Sequence, residues 1–295
     1  MTMADDPAKE FFEKTKVRYR VRSLEDFLIE TPLNGDAQLN DGWGAYYPMK
    51  GCEIEATILF ADITAFSRRT LDLTPMETLS FVNNFFAWIT AESLRGSKGV
   101  IDKYIGDEVM VVFSKDFGSK DPFREAVEAA RYMADHDVHS YMPHIGLASG
   151  RVVIGYVGTP LKYSATVLGH PVAMAARCAG VKPDVDGSTF YTTSISFPAA
   201  DWGERDFDEV FPAEKFRIPP ELRVDGEGEF GEQPHGWEML PPQTPELKNM
   251  PGTEIISIIN KGGHFSSTSA EERARQSVAW MRKNGAYRPR WRDEA

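Results

Sequence analysis

Two aspartates sit where a fold places reactive carboxylates. Asp62 ends the apolar run Thr57-Ile58-Leu59-Phe60-Ala61, and Asp107 occupies the tip of an expected hairpin across Gly99–Phe113, in Gly106-Asp107. Brought together, two such tips form a cage of hard oxygens suited to a pair of divalent cations. With Lys103 close by in sequence and Arg177 further on, that cage suits phosphoryl or nucleotidyl transfer.

The surrounding pattern supplies the elements to position these residues. A strand is expected over Glu53–Ala61, then a helix from about Pro75 to Leu94, with Pro in its first turn and Leu79, Val82, Phe85, Phe86 and Ile89 near helical spacing. A second helix fits Pro122–Asp135, with Phe123, Ala126, Ala130 and Met133 on one face. His144–Ser149 and Val152–Val157 flank Gly150-Arg151 and read as another hairpin. A helix rich in small residues, Pro171–Ala179, and strands over Thr189–Thr193 and Glu254–Ile259 complete the core. This order predicts an α/β (α+β) sandwich with a mostly antiparallel, ferredoxin-like sheet.

Outside the core, residues 1–48 read as an accessory arm, with helices expected over Ala8–Lys16 and from the cap-like Ser23, then a loop-rich stretch from Asn34 to Trp43. The catalytic unit is set at 49–262, with a Pro-, Gly- and acid-rich insertion at about 196–236. The tail, 263–295, holds an amphipathic helix over Ser269–Asn284.

The 295 residues are 42% apolar and carry a formal net charge of −11, enough for one substantial core and a surface that repels polyanions. Nucleic acid and anionic membrane are therefore not expected as partners. A nucleoside triphosphate is compatible, because it needs only a local cationic site. Cys52 and Cys178 lack metal-ligand spacing and read as buried free thiols. Met1–Lys9 lacks the pattern of a signal peptide and no apolar run reaches spanning length, so a cytoplasmic protein is expected.

Phe60-Ala61-Asp62-Ile63, Lys103-Tyr104-Ile105-Gly106-Asp107, His144–Gly150 with Gly155 and Gly158, and Thr166-Val167-Leu168-Gly169 through Ala175-Ala176-Arg177 together resemble a class III nucleotidyl cyclase. The resemblance spans roughly residues 53–195, with Leu247–Ile259 as the closing strand. It implies the class III cyclase fold and a head-to-tail homodimer whose active sites lie at the subunit interface. It implies attack of the ribose 3′-hydroxyl on the α-phosphorus, with loss of pyrophosphate. Two cations, Mn²⁺ or Mg²⁺, would be held by Asp62, Asp107 and the Ile63 carbonyl, and Arg177 would meet the α-phosphate. Phe60, Lys103, Thr166 and Ala173 fall at substrate-binding positions. Lys103 only donates, while Thr166 can donate or accept, which suits a ring acceptor such as adenine N1 or uracil O4. Ala173 departs from the family, which usually has Asn there to hold ribose or base. Arg95, Tyr46, Tyr47 and Lys248 are further nearby candidates, each with a surface or structural reading.

The short arm, the acidic build and Ala173 are most like the stand-alone bacterial pyrimidine cyclases of anti-phage signalling. Those make a cyclic pyrimidine nucleotide that a separate effector protein reads. The expected reaction is UTP to cUMP in preference to CTP to cCMP. The alternatives are an adenylate cyclase making cAMP, a non-catalytic nucleotide-binding pseudocyclase, and a metal-dependent phosphodiester enzyme sharing only the fold.

Overall fold

The computed structural model describes residues 23–32, 35–90, 94, 96–135, 137, 141–183, 193–212, 214–217, 230–233 and 236–260, with positions 275, 276, 279 and 283 beyond them. The helix expected over Ala8–Lys16 lies outside the described residues. Of the tail expected to be helical, those four positions are described, and all are in helix.

In chain order the elements are α1 (Leu24–Glu30), β1 (Gly35–Asn40), β2 (Tyr46–Asp62), α2 (Phe66–Arg69), α3 (Pro75–Trp88), β3 (Val100–Ile105), β4 (Glu108–Ser114), α4 (Pro122–Asp135), β5 (His144–Thr159) and β6 (Lys162–Leu168). They continue as α5 (His170–Ala179), β7 (Ser194–Pro198), α6 (Ala199–Trp202), α7 (Phe207–Val210), β8 (Glu214–Arg217), β9 (Phe230–Gln233), β10 (Trp237–Met239) and β11 (Ile255–Asn260). Nine strands form one sheet in the order β10-β11-β7-β5-β2-β4-β3, with β1 on β2 and β6 on β5. The β5–β7 pair is parallel, and the other pairs in the sheet are antiparallel.

Strand alternation divides the core in two. Leu59, Ala61, Val109, Val111, Ile145 and Leu147 face α3 and α4, where they meet Phe81, Phe85, Phe123, Ala126 and Met133. Ile58, Phe60, Met110, Val112 and Ala148 face the other way, toward Met174, Ala175 and Cys178 of α5 and Leu24, Phe27 and Leu28 of α1. Each large side chain buried here is worth roughly 1.5–3 kcal/mol. Helices cover both faces, so the sheet's ends are where polar groups can collect.

Local chemistry sets the helix starts. Thr74 caps α3, its hydroxyl accepting from the Glu77 N–H at 3.3 Å while the Glu77 carboxylate accepts from the Thr74 N–H at 2.8 Å. Pro75 sits in the first turn, where no N–H is needed. The buried face of α3 is Phe81, Phe85 and Ile89; Leu79, expected on it, is half exposed. Ser23 closes a similar box at α1.

The structure redraws two sequence expectations. The loop expected over Asn34–Trp43 contains β1, paired with the early part of β2. Gly150-Arg151 is no turn: β5 runs unbroken through it, with Gly150 opposite Ala56 and the real hairpin closing at Pro160-Leu161 into β6. Gly150 adopts φ 146°, which lets a glycine bend the strand without ending it. Of the strand expected over Thr189–Thr193, all but Thr193 lies outside the described residues; β7 is at Ser194–Pro198, and α6 and α7 follow it within the stretch that reads as an insertion. Trp202, Val210 and Phe211 from this stretch are buried against the α4 side.

Candidate active site

β2 runs through the middle of the sheet and delivers Asp62 at its end, opposite Glu108 on one side and His144 on the other. Asp107 occupies the two-residue β3–β4 turn beside it. Gly106, with φ 65°, takes the left-handed position that such a turn requires. The Asp62 and Asp107 side chains lie close enough to interact. Burial, the Asp107 hydrogen bond and charge, and the Glu108 charge push the Asp62 carboxyl up to about 8, while Lys182 pulls it down. Glu108 is raised as well, by burial and then by Asp107. Negative oxygen is concentrated here beyond what the local cations offset.

The loop after Asp62 is held tightly. Thr64 donates to the Met142 carbonyl in the approach to β5, and the Ile63 carbonyl accepts from the Phe66 N–H at 3.2 Å. That carbonyl keeps a second lone pair. The two carboxylates and the Ile63 carbonyl are hard oxygen donors, the ligand type that Mg²⁺ and Mn²⁺ prefer. Among the described residues no cluster of three or more His, Cys, Asp or Glu side chains is arranged around one point, so the acidic site is a pair. Its donor set fits divalent cations completed by substrate oxygens and water.

A second polar group lies on the same face of the sheet. Lys103 is opposite Met110, which is opposite Phe60, two residues before Asp62. At strand spacing this is about 7 Å along and about 10 Å across from Asp62. The Lys103 ammonium donates to the Thr166 hydroxyl and lies 3.2 Å from Asp102 Oδ2. Thr166 donates to the same oxygen at 2.9 Å. The Asp102 side chain is fully buried, and burial raises its carboxyl, with Lys103, Thr166 and the Val167 N–H pulling back.

α5 carries the third group. Met174, Ala175, Cys178 and Ala179 face the sheet, while Ala173 and Arg177, one turn apart, point outward. The helix approaches β5 closely because Gly146 lies beneath it. A Cβ there would sit 2.0 Å from the Ala175 carbonyl oxygen and 2.2 Å from the Ala179 nitrogen. The Arg177 side chain is exposed, with no hydrogen bond or ion pair to another described residue. The Phe60 side chain belongs to the core, 4% exposed.

Thus Asp62 meets Asp107, and Lys103 meets Thr166, while Arg177 and Ala173 share an open helix face. Tyr46, Tyr47 and Lys248 are exposed, and Arg95 lies outside the described residues. Sequence reading missed Asp102, Glu108, Lys182 and His144. Asp102 and Glu108 each adjoin a residue it did select, but strand alternation assigns such neighbours to opposite faces.

Residues 51–184 match the family model of the adenylate and guanylate cyclase catalytic domain. That stretch is similar to the cyclase catalytic domain, and the chain carries the class III cyclase fold. Over 131 residues the chain is 32% identical to the uncharacterized protein Rv1318c of Mycobacterium tuberculosis, covering 43% of this chain and 24% of that protein. It is 33% identical over 131 residues to Mb1354c of Mycobacterium bovis, covering 43% and 23%. The chain spans about a quarter of the length of these curated relatives. The cyclase fold is shared with a bacterial light-regulated adenylyl cyclase, at TM-score 0.51 and 19% identity over 94% of this chain and 71% of that one. It is also shared with the adenylyl cyclase CyaB from P. aeruginosa, at TM-score 0.50 and 15% identity over 74% and 100%. Among the described residues, no helix is long and apolar enough to cross a membrane.

Proposed function

We propose that this chain is a metal-dependent nucleotidyl cyclase, converting a nucleoside triphosphate to its 3′,5′-cyclic monophosphate and pyrophosphate. The observation that carries the reading is the Asp62–Asp107 pair, two carboxylates in mutual contact at the end of a cyclase sheet. Holding both ionised requires a counter-charge there. Divalent cations, Mg²⁺ or Mn²⁺, held by Asp62, Asp107 and the Ile63 carbonyl would acidify the ribose hydroxyl and neutralise the triphosphate.

The protein's own groups divide the remaining work. Lys103 and Thr166 bind the base edge. Arg177 presents a planar, permanently charged fork to the α-phosphate, whose charge grows as the ring closes. Ala173 cannot hydrogen-bond, so ribose orientation falls to other groups. Arg177 faces outward and makes no ion pair with Asp62 or Asp107, which supports a head-to-tail homodimer in which each site takes Asp62 and Asp107 from one subunit and Arg177 from the other.

For the base, our reading is uridine. Lys103 donates to O4, Thr166 accepts from N3–H, and the product is cUMP, a second messenger for an antiviral effector protein in the cytoplasm. ATP is the second reading, because the same polarity fits it: with its proton on Asp102, the Thr166 hydroxyl accepts from the exocyclic amine while Lys103 donates to N1. Purified protein incubated with Mn²⁺ and equimolar ATP, GTP, CTP and UTP, with products resolved by mass spectrometry, tests both. A cyclic pyrimidine supports the first reading and cyclic AMP the second. Binding without any cyclic product or pyrophosphate overturns the cyclase reading.

A further inference from the structure

β3 is not a regular strand. Its pairing with β4 shifts between Ile101, opposite Val111, and Lys103, opposite Met110, so Asp102 is an extra residue in a bulge. In a regular strand Asp102 and Lys103 would point to opposite faces. Here both side chains reach Thr166, on a strand that does not pair with β3.

The carboxylate is wholly buried, and Oδ2 takes the Thr166 hydroxyl at 2.9 Å and the Lys103 ammonium at 3.2 Å, with the Val167 N–H also favouring its charge. Oδ1 is buried with no hydrogen-bond partner among the described residues. A carboxylate retained only to tie the fold together would be expected to have both oxygens satisfied. Asp102 instead directs its side-chain hydrogen bonds to the two residues placed to read a base.

That arrangement fixes polarity. An ionised carboxylate only accepts, so Thr166 must point its single proton at Asp102. One Thr166 lone pair then takes a Lys103 proton, and the other remains for a ligand N–H. Lys103 uses one proton on Thr166 and one on Asp102, and a single N–H remains. The pair therefore offers one acceptor beside one donor, where a free threonine could switch roles.

We propose that Asp102 is a positioning residue for nucleobase selection, setting Thr166 as an acceptor and Lys103 as a donor toward the base edge. It acts through these two residues and does not touch the substrate. The proposal rests on the nucleotidyl cyclase reading and deepens it. The ligand class is a nucleobase edge with a ring or carbonyl acceptor beside an N–H.

The test compares the 295-residue wild-type chain with Asp102→Asn, Thr166→Val, Thr166→Ser and the Asp102→Asn/Thr166→Val double variant. Relative kcat/KM across ATP, GTP, CTP and UTP is measured with Mn²⁺. Binding of the same four nucleotides is measured with Ca²⁺. Asp102→Asn and Thr166→Val should each lower the preference for the favoured nucleotide about tenfold, mainly through KM. The double variant should be no worse than the worse single variant, because both act through one hydroxyl. Thr166→Ser should keep the preference. An unchanged preference in Asp102→Asn, or additive effects in the double variant, overturns the proposal while leaving the cyclase reading intact. A wild type that binds all four alike and cyclises none overturns both. If Asp102→Asn does not fold, Asp102→Ser takes its place, and loss of fold in both assigns Asp102 to structure alone and overturns the proposal.

Discussion

The carboxyl of Asp62, at the end of β2, lies near enough to that of Asp107, in the β3–β4 turn, for Asp107 to raise it. Two acids in contact, with Glu108 adding its charge, cannot both ionise cheaply without a cation between them. The site therefore links metal binding, protonation and stability.

The sign of that link is fixed. Asp62 is raised from an ordinary 3.8 to about 8, so between those values the folded protein binds the proton more tightly than the unfolded chain. Stability of metal-free protein should fall as pH rises through this window. Adding Mn²⁺ at pH 8 should raise the melting temperature, and Asp62→Asn should flatten the slope and abolish the metal response. Turnover of Asp62→Asn should drop by roughly 100-fold or more. Scanning fluorimetry with EDTA or Mn²⁺ is the measurement; an unresponsive wild type at pH 8 counts against the metal assignment.

Arg177 is exposed and unengaged by any other described residue, so its removal should leave the fold alone. Arg177→Ala should lower kcat on the order of 100-fold with little change in nucleotide binding, the pattern of a contact made in the transition state. Mixing Arg177→Ala with Asp62→Ala should restore activity through one intact site per heterodimer. No recovery, with subunit exchange confirmed, argues against shared sites.

Gly146 is where α5 touches the sheet. Gly146→Ala would place a methyl against the backbone of Ala175 and Ala179, neither of which is a flexible side chain. We expect a loss of about 3 kcal/mol by urea unfolding and, in folded protein, weakened catalysis because Arg177 rides on α5. Unchanged stability would show that α5 can lift without cost.

His144 is held neutral. Burial, then the charges of Lys182 and Arg69, lower it from 6.5 to about 4, and its Nδ1 lies 2.8 Å from Ser194 Oγ. Between these values the unfolded chain binds the extra proton, so this contribution is whole above pH 6.5 and lost as pH falls toward 4. The slope should amount to about 2–3 kcal/mol over that window. His144→Gln should be less acid-sensitive than wild type in pH-dependent unfolding.

How much of this was legible without coordinates differs by element. α4 matches its expected range, Pro122–Asp135, because an uninterrupted apolar stripe at helical spacing admits one buried face. The face of α3 is rotated toward Phe81 because the apolar residues of that helix surround much of its circumference, leaving the choice to the sheet. Gly150-Arg151 has the composition of a turn, yet the partner residues of β2 carry the strand through it.

The sequence by itself determined the residues that could do chemistry, their order, and the alternation that puts Asp62 at a strand end and Asp107 in a turn, since these follow from residue type and local spacing. Only the tertiary structure decided which groups meet. Thr166 reaches Lys103 across strands that are not neighbours, α5 settles onto Gly146 with Arg177 outward, and a one-residue bulge turns Asp102 to the face of Lys103. Such contacts depend on pairing register and layer packing, properties of distant segments acting together that no local run of residues contains.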